Sequence, residues 1–402
     1  MSNPTFNFEA AARRIRQMLL PTPIIESSYF STATNNHIFL KPENLQRTGA
    51  FKIRGASNKI FSLSDEERAH GLVTASAGNH AQGVACAAAF AKARAVVVMP
   101  ETTPLIKVKR TKALGAEVRL VGTTYDDAAA EAMRLAKEEG LTMVHPFDDL
   151  AVIEGQGTIA LELLRDLPDL DAILVPVGGG GLIAGIAACI ASHKTDCRVI
   201  GVEPKNAASM RAAIRSGARV TLNDVSTIAD GTAVKEAGVE TYALCRRFVD
   251  DWLVVDDYEL MEAFTETVEQ HKLVVEPSGL LSVAAARKLP FANNQVACIL
   301  SGGNVDMLMV ASMINKGLRS RDRIFKFYLD LPDRPGELHR FTGILADLRA
   351  NVISISHDRY SLTKRFSNIH VDVTVSTNGH RHVQEIKQAL TQAGYTVHDV
   401  IE

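Results

Sequence analysis

Residues 172–191 read Ala-Ile-Leu-Val-Pro-Val-Gly-Gly-Gly-Gly-Leu-Ile-Ala-Gly-Ile-Ala-Ala-Cys-Ile-Ala, without a single charge. A membrane-spanning helix needs about 20 such apolar residues. The order of the residues argues against one. Pro176 and four successive glycines interrupt the run, and an aliphatic start gives way to small residues. Strand, loop, helix is the better parse. It places Gly178 to Gly181 at the carboxyl end of a strand and Leu182 in the first turn of a helix.

The same alternation extends on both sides. Strands are expected at His37–Lys41, Leu72–Ala75, Ala95–Met99, Glu117–Val121, Arg198–Val202, Trp252–Val255 and Val296–Leu300. Helices are expected at 8–20, 53–62, 79–93, 104–114, 126–139, 153–164, 182–192, 257–271, 278–288 and 306–316. Apolar strands between helices predict an α/β fold of open, twisted parallel sheets covered on both faces. Residues 205–250 yield no clear pattern.

Beyond the charged hexamer Leu318-Arg-Ser-Arg-Asp-Arg323, which reads as a linker or interdomain surface, the texture changes. Strand 324–330, helix 336–349, strands 352–357 and 368–375, helix 383–393 and strand 396–400 predict a βαββαβ, ferredoxin-like module. The expected domains are therefore 1–320, with a smaller subdomain at about 50–150 inserted in a larger one, and 325–402.

Composition narrows the function. The chain has 402 residues, 46% hydrophobic and 22% charged, with a net charge of −2 and no basic block that would suit nucleic acid. The five cysteines are scattered without a CxxC pair, as expected of free thiols in a reducing compartment, and the N-terminus has no secretory pattern. A cytoplasmic location follows as an expectation. No spacing of His, Cys or carboxylates suits a catalytic metal.

Five stretches carry chemistry. Lys41-Pro-Glu-Asn-Leu-Gln-Arg-Thr-Gly-Ala-Phe-Lys52-Ile-Arg-Gly55 holds the lysine expected to be covalently reactive. Ser76-Ala-Gly-Asn-His-Ala-Gln-Gly83 lies between a strand and a helix, where small residues admit a ligand and a helix start offers amides to an anion. Gly178–Gly181 can turn several amides inward as an anion nest. Ser301-Gly-Gly-Asn304 follows an apolar strand, and Glu276-Pro-Ser-Gly279 opens a helix. Open α/β sheets bind ligands at such strand ends. A competing reading takes Gly179 to Ala184 as G-x-G-x-x-A and Glu203 as a ribose-binding acid, the pattern of a nicotinamide dehydrogenase. It leaves Lys52 and the Ser301 loop unexplained.

Together these stretches resemble the pyridoxal phosphate enzymes of fold type II, the tryptophan synthase β family. Within that family the chain is similar to the threonine dehydratases (threonine ammonia-lyases) with one regulatory domain. The carrying motifs are Lys41–Ala56, Ser76–Gly83, Val177–Ile183 and Leu300–Asn304. Residues 327–360, with Asp333-Arg-Pro-Gly-Glu-Leu338, resemble an ACT domain, a module that usually binds amino acids.

The resemblance implies roles. Lys52 would hold pyridoxal 5'-phosphate covalently, with Phe51 against the ring and Gly178, Gly179, Gly180, Gly181 and Leu182 at the phosphate. Asn79 would bond the ring hydroxyl and Ser301 the ring nitrogen. Ser76, Ala77, Gly78, Asn79 and His80 would hold the substrate carboxylate. The implied reaction is elimination from L-threonine to 2-oxobutanoate and ammonia, and from L-serine to pyruvate, with an amino-acid effector at the ACT module and a homo-oligomer, dimer or tetramer. Alternatives are 3-hydroxyaspartate deamination, β-replacement, serine racemisation, and a catalytically idle amino-acid sensor. In the similar serine racemases a serine matches Ala77 and supplies a proton to the second face of Cα; alanine has none to give. Their divalent-cation site matches Glu203, Ala207 and Ser209. Serine there in place of aspartate leaves at most a monovalent site.

Overall fold

The computed structural model describes residues 4–193, 196–358 and 368–400. The chain forms two compact units, Met1–Asp306 and Met307–Glu402.

The first unit is built on two sheets. The larger has the order β1-β2-β10-β7-β8-β9: β1 (Ile25–Glu26), β2 (His37–Pro42), β7 (Ala172–Pro176), β8 (Arg198–Pro204), β9 (Asp251–Val255) and β10 (Gln295–Leu300). All of its pairings are parallel except β1 on β2. The smaller sheet has the order β5-β4-β3-β6, all parallel: β3 (Leu72–Ala75), β4 (Ala95–Met99), β5 (Glu117–Leu120) and β6 (Thr142–Met143). Every residue of β3, β4 and β7 is buried, as their unbroken apolar sequences require. Among the described residues no helix is long and apolar enough to cross a membrane. The 172–191 stretch is strand, glycine loop and the helix Gly181–His193, as parsed.

Three expectations need correction. The helix expected over 8–20 is Phe8–Ile15. The Gln46 side chain bonds both the amide and the carbonyl of Leu20, at 3.0 and 2.8 Å, and draws the following chain out of helical geometry. The stretch 278–288 breaks into a 3-10 turn, the short helix Leu281–Ala285 and a second 3-10 turn. The charged hexamer is no simple linker, because the helix Met307–Ser320 runs into it. The helix Asp65–His70 was legible but overlooked: Ser64 and Glu67 form a capping box, the S-x-x-E signature.

Glycines decide how the helices meet. The helix Leu150–Asp166 lies between the helices Lys52–Ser62 and Gly181–His193. A Cβ on Gly55 would sit 2.2 Å from Gln156 Nε2, and one on Gly155 2.7 Å from the Arg54 carbonyl. A Cβ on Gly185 would sit 2.2 Å from the Ile153 carbonyl. Backbone therefore touches backbone at both crossings. One helix fixes the lysine-bearing helix against the helix that follows the glycine loop.

A buried ion cluster ties the same region to the N-terminal segment. Arg54 is fully buried and paired with Glu43 at 2.7 Å and Glu162 at 2.7 Å. Lys41 bonds Glu162 at 2.7 Å and the Thr22 carbonyl at 2.8 Å. Two cations against two carboxylates leave no uncompensated buried charge, the condition under which such a cluster is tolerated.

The second unit is a four-stranded antiparallel sheet in the order β12-β13-β11-β14: β11 (Ile324–Pro332), β12 (Asn351–Asp358), β13 (Asn368–Ser376) and β14 (Val397–Asp399). The helices Glu337–Asp347 and His380–Gln392 complete the βαββαβ arrangement. Alternate residues of β11 are buried, and Phe327, Phe341, Val371 and Ile386 fill the core between sheet and helices.

Glycine substitutions test the crossings. Gly185→Ala should lower stability by about 1–3 kcal/mol, the usual penalty for overpacking. Gly343→Ala should raise it by about 0.4–1 kcal/mol, because a Cβ there meets no atom within 4 Å in a helix interior. Denaturant midpoints check both; a neutral Gly185→Ala contradicts the tight crossing.

Candidate active site

The five stretches come together at the carboxyl ends of the parallel strands. Phe51 precedes the helix Lys52–Ser62, and its amide donates to the Ser301 carbonyl at 3.0 Å. Ala50 and Gly302 form a β-bridge, so the Lys52 and Ser301 segments are stitched side by side. The helix Asn79–Phe90 packs on the Lys52 backbone, where a Cβ on Gly83 would lie 3.2 Å from the Lys52 carbonyl.

The segment 144–147 joins the remaining parts. Lys52 Nζ donates to the Pro146 carbonyl at 2.6 Å, and His80 Nε2 donates to the Val144 carbonyl at 2.9 Å. Phe147 covers the glycine loop: a Cβ on Gly179 would be 2.4 Å from its ring, and one on Gly181 2.9 Å from its carbonyl. Lys52, the Ser76–His80 loop and Gly178–Gly181 thus share one wall. Sequence reasoning passed over Pro146 and Phe147, which carry no motif.

Among the described residues the amides of Gly178, Gly179, Gly180 and Gly181 have no protein acceptor, and neither do those of Asn79, His80 and Ala81 at their helix start. Two anion-ready amide groups therefore flank the lysine. Gly180 adopts φ +94, and Gly178 approaches the backbone of Thr232, where a Cβ would lie 2.9 Å from its Cα. Packing alone thus demands glycine in this loop. Gly78 is the opposite case. A Cβ there meets nothing within 4 Å, so its neighbours do not dictate its size. Leu182 is buried in the main core and can offer only its amide.

The electrostatics set Lys52 apart. Burial pushes its pKa down to about 8, against a smaller opposing pull from Glu276. Burial, with the Lys52 charge second, pushes His80 down to about 3. Its lowered pKa keeps His80 neutral, with the ring proton on Nε2 donated to the carbonyl, and its buried Nδ1 has no partner. Its side chain anchors the loop, leaving the backbone amide to face a ligand. Burial, then the Asp230 charge, raises Glu276 to about 7. Ser301 is buried at the end of β10. Glu276 and Asn304 lay in noted stretches but were not read as site residues; both bond Asn79, at 2.6 and 2.5 Å. Ser76 accepts from the Gly78 amide at 3.3 Å and shapes the turn around Ala77.

The ribose acid of the dehydrogenase reading is engaged elsewhere. Both Glu203 oxygens accept helix amides, from Met210 at 2.9 Å and Arg211 at 2.8 Å. It serves as a buried helix cap.

Residues 15–302 match the family described as pyridoxal-phosphate dependent enzyme. The chain is 43% identical to the L-threonine ammonia-lyase of Thermotoga maritima over 392 residues, covering 97% of this chain and 98% of that protein. Among solved structures it resembles processed threonine deaminase isoform 2 of Solanum lycopersicum, with TM-score 0.74 and 37% identity over 77% of this chain and 92% of that one. It also resembles maize serine racemase, with TM-score 0.73 and 36% identity over 78% and 97%. The chain belongs to the pyridoxal-phosphate dependent enzyme family, and pyridoxal phosphate is its cofactor. The site fits that group: a lysine amine of lowered pKa, a glycine loop whose amides have no protein acceptor, and a buried hydroxyl at Ser301.

The amine provides a direct test. Only the neutral form attacks a carbonyl, so a pKa near 8 instead of 10.5 moves reactivity down the pH scale. In the cofactor-free protein, labelling of Lys52 by a small aldehyde with reductive trapping should rise with pH and level off above about 8. Glu276→Gln should move that midpoint lower still, since the carboxylate holds it up. A midpoint near 10.5 contradicts the burial argument.

Proposed function

We propose that the chain eliminates water from L-threonine and releases ammonia to give 2-oxobutanoate, and that it converts L-serine to pyruvate. The observation that carries this reading is the Lys52 amine, lowered to about 8 and held beside two groups of free amides and Ser301. Near full-length similarity to an L-threonine ammonia-lyase supports the choice of substrate.

Pyridoxal phosphate, when bound, supplies the electron sink for the charge left at Cα. The Gly178–Leu182 amides would hold its phosphate, with the helix dipole adding to the attraction. Phe51 would pack against its ring, and Asn79 and Ser301 would bond the ring hydroxyl and nitrogen. The amides of the Ser76–His80 loop take the substrate carboxylate and orient Cα. Lys52 removes the Cα proton as general base; its lowered pKa leaves neutral amine available near neutral pH. A serine hydroxyl at the ring nitrogen cannot stabilise a positive nitrogen as a carboxylate would. That favours rapid loss of the β-hydroxyl over a long-lived charge at Cα. The water lost on elimination is regained when the released product hydrolyses to the 2-oxo acid and ammonia.

Ala77 bears on the racemase alternative, since it has no proton to deliver to the second face of Cα. Residues 1–320 are read as the catalytic domain and 325–402 as an ACT domain that takes an amino-acid effector. The βαββαβ order and the 333–336 turn that opens the helix Glu337–Asp347 support that reading. The assembly is read as a homo-oligomer.

Purified holoenzyme should produce 2-oxobutanoate from L-threonine, and Lys52→Ala should reduce turnover to background. Ala77→Ser should gain D-serine formation from L-serine, read by chiral chromatography. Turnover retained by Lys52→Ala removes the assignment; no D-serine from Ala77→Ser removes the role given to Ala77.

A further inference from the structure

Asn79 stands in a chain of side-chain amides that ends on two acceptors, the Thr48 carbonyl and the ionised Glu276 carboxylate. At one end the Thr48 carbonyl takes a hydrogen from Asn304 Nδ2 at 2.9 Å. The same nitrogen gives its other hydrogen to Asn79 Oδ1 at 2.5 Å. At the far end Asn79 Nδ2 donates to Glu276 Oε1 at 2.6 Å. An amide nitrogen has two hydrogens and its oxygen none, so each link dictates the next. The Thr48 carbonyl orients Asn304, Asn304 demands the Asn79 oxygen, and Glu276 independently demands the Asn79 nitrogen. Both ends agree.

The frame around this chain is rigid. Glu276 is buried, and its amide donates to the Gly302 carbonyl at 3.0 Å. Its carboxylate crowds Gly302, where a Cβ would sit 2.3 Å from Oε1. Asn304 is pressed on Gly49, which adopts φ +73 and would place a Cβ 2.8 Å from Asn304 Oδ1. The Gly303 amide donates to the Gly49 carbonyl at 2.8 Å and closes the frame. Turning the Asn79 amide over would set its oxygen against a carboxylate and its N–H against another N–H. Asn304 cannot turn with it without giving up Thr48.

We propose that Asn304 and Glu276 are positioning residues that lock the Asn79 amide, so that it offers the cofactor ring oxygen a donor and never an acceptor. This rests on the reading that Asn79 faces the ring hydroxyl. One Asn79 Nδ2 hydrogen is committed to Glu276 and one remains. A donor aimed at an ionisable oxygen favours its anionic form; an acceptor there favours the protonated form. The lock therefore sets the ionisation of the ring oxygen before any substrate arrives. It also assigns a task to Gly49 and Asn304, which press on each other although about 255 residues separate them.

The test reads the absorption spectrum of substrate-free holoenzyme, where the ionised ring oxygen absorbs in the visible and the protonated form in the near ultraviolet. The double variant Asn304→Asp, Glu276→Gln reverses both ends, giving Asn79 an acceptor on its oxygen side and a donor on its nitrogen side. The ratio of visible to near-ultraviolet bands should fall about tenfold, equivalent to one pKa unit on the ring oxygen. Titration of the apoprotein with pyridoxal phosphate should show weaker binding. If that variant does not fold, Asn304→Ala with Glu276→Gln removes the lock without adding a charge, and both bands should coexist. A wild-type spectrum in either variant overturns the proposal. Asn79→Ala separates the two claims. A spectrum changed by Asn79→Ala but by neither double variant overturns the lock alone, whereas one unchanged by Asn79→Ala also overturns the placement of Asn79 at the ring.

Discussion

The backbone contact between three helices is the constraint on which the site depends. Gly55 and Gly155 let the lysine-bearing helix lie directly on Leu150–Asp166, and Gly185 does the same for the helix behind the glycine loop. Close packing transmits such contacts as fixed distances, because interiors have few voids to absorb a shift. The reactive amine and the amide cradle come from segments about 125 residues apart and are held in one register through a shared neighbour. The Arg54–Glu43–Glu162–Lys41 cluster anchors the outer side of the same helix.

Burial does two kinds of work here. It withdraws water from the Lys52 amine and pushes its pKa to about 8, which makes a nucleophile and base out of a common surface residue. It also raises Glu276 to about 7 and keeps His80 neutral, so few full charges stand near the amine. On the placement proposed above, an anionic cofactor would be held through backbone amides and helix dipoles instead of through cationic side chains. That accounts for a phosphate-binding chain with no basic cluster in its sequence.

Much of this was legible. The strand–loop–helix parse of 172–191 and the βαββαβ order of 324–400 depend on local periodicity, which the sequence displays directly. Lys52, Asn79, Ser301 and the glycine loop carry recognisable motifs at strand ends. Pro146 and Phe147 do not; their role comes from a loop that long-range packing lays across the site. The rest lay beyond local reading for the same reason. The helix at Phe8 ends early because Gln46, 26 residues from Leu20, captures that residue. Glu203 matched a ribose acid by spacing, yet spacing cannot show that both its oxygens are taken by helix amides.

Two lysines share the opening stretch, and their environments differ. Lys41 is buried in an ion cluster with Glu162, while Lys52 meets the Pro146 carbonyl, the Phe51 ring and the electrostatic pull of Glu276. Reduction of the holoenzyme with borohydride, followed by peptide mass mapping, distinguishes them. The account expects the pyridoxyl label on the peptide carrying Lys52 alone; a label on Lys41 or another lysine, or no label at all, would contradict it.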